Sequence, residues 1–332
     1  MSDPWLLPAA GDPLPRSEPQ KTTLEGVQPL VRRIGLWPRP SVPDALHAWF
    51  FGHPGQHGYA LLDGTRIPFL PERLRQSGLP HACLFDGPSA EELADSAYWL
   101  AELADQNDFT RSLFTTGDPH RDLWNAKAGV FLRSALPLPQ VRAHLRKLTR
   151  LSDEQGKWFY LRFGDPLYAR HLLTHGSDEM RARLLRSGPM MMHGPTPGQM
   201  LIWTPAPQSD DLALRRAILL RAQDKQALKL ARLEEFTIRM ITWLNTAYGP
   251  LPAQIDTPHF VGQLVLHGQD RLGLTNERQV ADYVAASWLL RQPADRVLDF
   301  TPIGHEIPQA TLERIHDEAY EMSLGTAHAR LS

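Results

Sequence analysis

Three carboxylates stand at the ends of apolar runs. Asp63 closes "YALLDG" (59–64), Asp86 closes "HACLFDG" (81–87), and Asp165 follows "WFYLRFG" (158–164). Ligands of open α/β sheets bind at the edge where strands end, so acids gathered there could hold a metal or share acid and base roles in a hydrolysis. Asp63 in "DGT" also suggests a phosphatase-type nucleophile, but that chemistry needs a second Asp two residues on, where Thr65 stands. The same residues have a structural use. Asp accepts backbone N–H groups in turns and caps, Gly supplies unusual dihedrals, and Pro opens helices. Gly64, Gly87 and Pro166 follow the three acids in that manner. Both uses are open; turn and cap preferences favour the scaffold.

Other chemistry is thinner. His171 and His175 are four apart and could share a helix face, but no Glu completes H-E-x-x-H, and no third ligand is identifiable. Cys83 lies inside an apolar run, where a buried inert thiol is expected. Neither a G-x-S-x-G elbow nor a phosphate loop occurs. Arg142, Arg146 and Arg150, with Lys147, form a basic row that could meet phosphate, nucleic acid or an acidic protein; a solvated helix face is the plainer reading. No cofactor and no metal is expected. Aromatic and Met side chains are enriched where proteins grip one another, which makes Trp203, Phe236, Met240 and Trp243 candidates for partner binding, beside the three arginines.

The elements that must position these residues follow from pattern. The chain has 332 residues, 42% apolar and 22% charged, the profile of a globular protein long enough for two domains. A net charge of −2 gives no global pull toward nucleic acid or anionic lipid, and a single cysteine rules out an internal disulfide. Neither a signal peptide nor a membrane span is read, so a cytoplasmic location is expected. Residues 1–55 form a proline-rich, largely extended arm. Residues 56–207 alternate strand-like runs (58–63, 81–86, 128–134, 158–163, 190–193, 199–205) with helices expected over 89–103, 138–151 and 165–175. The first of these opens on Ser89 with Glu92, a capping box, and the third on Asp165-Pro166. Residues 208–332 read as helices, with a broad apolar stripe through Leu233, Phe236, Met240 and Leu244. The expected fold is an α/β lobe, a mixed sheet with flanking helices, followed by an all-α lobe.

The ordered series "YALLD", "CLFDG" before "SAEELA", "GVFLRS" with its arginine-rich helix, and "FYLRFGDP" resembles the adaptor domain of bacterial type VI secretion systems, domain of unknown function 4123, over about residues 58–205. The stretch around Trp124 and Gly129 departs from the Trp-Gly-rich segment usual there. The resemblance implies a cofactor-free adaptor or chaperone. It would bind a toxic effector and help load it onto the VgrG spike or its PAAR tip, with no nucleic acid or membrane as partner. The effector grip is expected on the helical lobe and the spike contact on the α/β lobe. The motif residues Asp63, Gly64, Asp86, Gly87, Asp165 and Pro166 would then hold a scaffold in shape.

Overall fold

A computed structural model describes residues 18–32, 39–206 and 218–328. The chain folds as two compact units, divided after Leu228.

The first unit is built on a seven-stranded sheet. Its strands are β1 (Gln20–Leu24), β3 (His57–Asp63), β4 (His81–Cys83), β5 (Tyr98–Glu102), β7 (Gly129–Ser134), β10 (Met190–His193) and β11 (Met200–Thr204). They lie side by side in the order β1-β11-β10-β7-β3-β5-β4, and every pairing is antiparallel. Parallel pairing occurs in the short ladder of β2 (Leu30–Val31) with β6 (Thr115–Thr116).

β3 lies between β5 and β7, and its residues from Gly58 to Asp63 are all buried. Burial on both faces explains the unbroken apolar run that made this strand legible. Alternation then sorts its side chains. Ala60 aligns with Ala101 and Phe131, and Phe131 with Met191, in a row across one face. That row joins the core formed with α1 (Asp44–Phe51), α2 (Leu70–Ser77) and α4 (Asp108–Leu113) through Leu46, Phe50, Leu74 and Phe109. The opposite face is approached by α5 (Leu138–Arg146), which contacts β5, and by α6 (Pro166–His175), which contacts β7 and β10.

Several expectations change. The helix read over 89–103 is only α3 (Pro88–Glu92); the Tyr98–Glu102 half is β5, hydrogen-bonded to β3 and β4 on its two sides. Tyr and Trp suit a pleated surface, and two flanking partners override the helical spacing. The side chain of Ser89 in the capping box lies outside the described residues. The run at 158–163 does not enter the main sheet: β9 (Trp158–Tyr160) pairs with β8 (Arg150–Ser152) in a separate hairpin. α5 stops at Arg146, because Lys147, Leu148 and Thr149 fold back in i→i+3 bonds to His144, Leu145 and Arg146. Within the proline-rich arm, β1 is an edge strand of the main sheet and α1 packs its Leu46 and Phe50 into the core. The arm residues 1–17 and 33–38 lie outside the described residues.

The second unit is helical. Its core joins the C-terminal part of α8 (Ala222–Tyr248) to α9 (Thr257–Asp270), α10 (Glu277–Leu290) and α11 (Pro308–His328). Asp256 and Asn276 cap α9 and α10 by accepting from His259 N and Gln279 N. Tyr283, Val284 and Trp288 of α10 pack with Met240 and Leu244 of α8 and Ile315 of α11. The stretch 207–217, where the expected boundary and the start of the first long helix fall, lies outside the described residues.

Candidate functional site

Asp63 and Asp165 are brought to one buried place, around Tyr98. Asp63 ends β3, and its Oδ1 accepts from Thr65 N (3.0 Å) and Thr65 Oγ1 (2.6 Å) in a tight turn. Thr65, which broke the phosphatase pattern, is thus the partner that occupies the carboxylate. Asp165 caps α6 by accepting from Leu167 N at 2.9 Å. Its Oδ2 also accepts from Arg66 Nη2 at 2.6 Å and Arg162 Nη2 at 3.0 Å. Pro166 takes the first helical position, where a missing N–H is harmless. The Tyr98 ring stacks on Tyr160 at 6.0 Å between centroids, and Phe163 lies against it. Burial pushes the Tyr98 hydroxyl well above the ordinary tyrosine value, and the charges on Asp63 and Asp165 push the same way.

The glycines beside these acids serve three different purposes. Gly64 is in ordinary backbone territory, and a Cβ there would meet Asp95 O at 2.6 Å, so the need is for close approach. Gly87 has φ +63 with open space around it, a turn that favours glycine. Gly164 lies under the Tyr98 ring, where a Cβ would come within 2.6 Å of Cε1.

Asp86 is engaged instead by α5. Arg142 Nε donates to Cys83 O at 2.6 Å and Nη2 to Phe85 O at 3.1 Å; Nη2 also donates to the Asp86 carboxylate. Arg146 pairs with the other Asp86 oxygen at 2.5 Å. The Arg142 hydrogen bond, then the two positive charges, hold the Asp86 carboxyl below the usual carboxylate range. The basic row is therefore not a row. Arg142 clamps the end of β4, Arg146 shares its acid, and Arg150 lies beyond the helix in β8, over the Trp158 ring at 5.2 Å.

Arg142→Ala is expected to lose about 1.5–3 kcal/mol, the worth of charged donors on half-buried carbonyls. Arg146→Ala, which removes only an exposed pair, should leave the denaturation midpoint nearly unchanged. Urea denaturation of both variants checks this, and equal losses would remove the clamp.

The aromatic candidates separate by burial. Trp203 is 3% exposed on β11, with Lys21 Nζ 5.5 Å from its ring, and so offers no surface to a partner. Met240 is buried in the helical core, which removes it too. Phe236 is half-buried under Arg239, whereas Trp243 is exposed. The α8 stripe turns both Met240 and Leu244 inward and leaves Trp243 at its edge.

His171 and His175 do lie together, at 5.6 Å between rings. Among the described residues, no group of three or more His, Cys, Asp or Glu stands where it could hold a metal. The Cys83 thiol is raised by burial, away from the thiolate form.

His193 ends β10 with its ring edge-on to Trp124 at 4.5 Å. Burial, then the charge on Lys127, lowers its imidazole from 6.5 to about 4. The folded protein holds it neutral while the unfolded chain protonates it below pH 6.5, so its contribution is complete above that value and fades as pH falls toward 4. The expected loss across this window is roughly 2–3 kcal/mol. His193→Gln should flatten that limb of the pH–stability curve, and an unchanged limb would refute the assignment.

Residues 58–183 match the family described as Domain of unknown function (DUF4123). No curated protein and no solved structure matches the chain. The matched segment is shorter than the 58–205 expected, and runs from β3 into α7 (Asp178–Leu184). It holds the β7-β3-β5-β4 half of the sheet and all three motif acids, while β1, β10 and β11 lie outside it. No described helix is long and apolar enough to cross a membrane.

Arg32, Arg73, Arg111 and Arg121 come from four separated segments and line one groove, a grouping that left no trace in the sequence pattern.

Proposed function

We propose that the chain is a non-enzymatic adaptor of a type VI secretion system, which binds a toxic effector and helps load it onto the VgrG spike or PAAR tip. The observation that carries this is the match of residues 58–183 to DUF4123 over the ordered motifs that gave the resemblance. The geometry supports it: Asp63 is spent on a turn, Asp165 on a helix cap and two arginines, and Asp86 on α5. Partner binding then falls to surfaces outside the motif acids, with Trp243 and Phe236 the candidates remaining on the helical unit. The test is co-expression of the full tagged chain with a spike protein and a toxin of a type VI secretion system, drawn from the genes that flank its own where those encode such proteins. Retention of the toxin in a defined complex through size exclusion is expected. Failure to retain either protein at micromolar concentration would overturn the proposal.

A further inference from the structure

A groove of about 770 Å³ opens in the first unit between α2, α4, the β2–β6 ladder and the loop after β6. Five arginines (Arg32, Arg39, Arg73, Arg111 and Arg121) line it, and Asp108 is the one acid among the described residues of its wall. The whole chain carries a net charge of −2, so this concentration of cations is local. Arg73 donates to the carbonyls of His120 (3.5 Å) and Arg121 (3.0 Å), and Arg111 to those of Pro40 (2.6 Å) and Val31 (3.4 Å). Carbonyl oxygens fix the guanidinium groups in place without cancelling their charge. Arg32 differs: Asp122, buried behind it, takes its Nη2 at 2.6 Å, and Asp118 adds a weaker field from the same loop. Burial, reinforced by Arg39 and Arg32, pulls Arg111 below the ordinary arginine value; burial and then Arg121 act likewise on the half-buried Arg73.

The rim carries an independent oddity. Phe69 is 73% exposed and sits at φ +56, at the N-terminus of α2. A bulky residue in the left-handed region is strained, and such strain persists where surroundings or function require it. Glycine would fit this backbone better and would leave no ring in solvent. Exposed aromatic rings beside arginines are the composition of protein-binding surfaces. A compact anion such as phosphate has no use for an apolar rim.

We infer that this groove docks an acidic segment of a partner protein, whose carboxylates meet the arginines and whose apolar side chain covers Phe69. The inference rests on the adaptor reading for the partner's identity, but the chemistry of docking stands on the groove alone.

The test uses the full chain and a fluorescein-labelled peptide of alternating Glu and Leu, with a matched peptide carrying Gln for each Glu. The Glu peptide should bind, and the Gln peptide about tenfold more weakly. Raising NaCl from about 50 to about 300 mM should weaken the Glu peptide by about tenfold, as exposed charges are screened. Phe69→Gly relieves a left-handed residue and Arg121→Glu alters an exposed side chain, so both should fold; each should weaken the peptide by about tenfold. Unchanged affinity in both folded variants would overturn the inference, as would saturation by inorganic tripolyphosphate with no binding of the Glu peptide. The two readings fail separately. Variants that capture toxin and spike undiminished sink the groove alone; variant-sensitive peptide binding by a chain that captures neither protein sinks the adaptor reading alone.

Discussion

Gly129→Ala should destabilise the first unit by about 3–5 kcal/mol, the range reached by severe single substitutions. Gly129 begins β7 and stands opposite Leu62 in the central pair of the sheet. A Cβ there would lie 2.3 Å from Leu61 O and 3.1 Å from Leu62 Cα. Overpacking against side chains costs about 1–3 kcal/mol because they can rotate away. A ladder carbonyl cannot do so, and yielding would part β3 from β7. Gly87 supplies the contrast, since its φ is +63 but its Cβ would meet nothing. Gly87→Ala should therefore cost only the left-handed penalty, about 1–2 kcal/mol. Chemical denaturation of both variants measures the difference, and equal losses would mean that the β3–β7 approach is looser than this geometry.

The contrast also shows which parts of the molecule the sequence disclosed. β3 was legible because a strand buried on both faces needs an unbroken apolar run, and Asp165-Pro166 because a helix start is written in adjacent residues. β5 was not, since "EELADSAYWLAEL" carries helical spacing and only its neighbours β3 and β4 make "YWLAE" a strand. The role of Arg142 depends on Cys83 and Asp86, more than fifty residues away in the chain. Spacing of four made Arg142, Arg146 and Arg150 one face, but the tight turn through Thr149 removed Arg150 from the helix. Trp203 read as a partner-facing aromatic, yet its place between β1 and β10 buries it. The arginine groove was illegible for a stronger reason. Its cations come from segments with no shared period, and only the packing of α2 and α4 around the β2–β6 ladder brings them together.

Asp165→Ala is the second large effect, expected at about 3–4 kcal/mol. The cap alone is worth about 0.5–2 kcal/mol. Removing one member of a buried charged group costs about 3–5 kcal/mol when its partners stay buried. Asp165 itself is 1% exposed, but Arg66 and Arg162 each keep about a third of their side chains in water, so they can rehydrate and the sum falls short of both terms together. Asp165→Asn separates the parts. An amide oxygen can still accept from Leu167 N, while the attraction of both arginines is lost, so about half the effect should remain. A double-mutant cycle with Arg66→Met should return a coupling of about 1–3 kcal/mol, because the two side chains share one bond at 2.6 Å. These variants also divide scaffold from catalyst. If Asp165 holds α6 in place, Asp165→Asn lowers the denaturation midpoint and, on the adaptor reading, leaves toxin capture intact at temperatures where the variant is folded. A variant with unchanged stability that instead lost a hydrolytic activity of the purified chain would return Asp165 to chemistry and end the adaptor reading of these motifs.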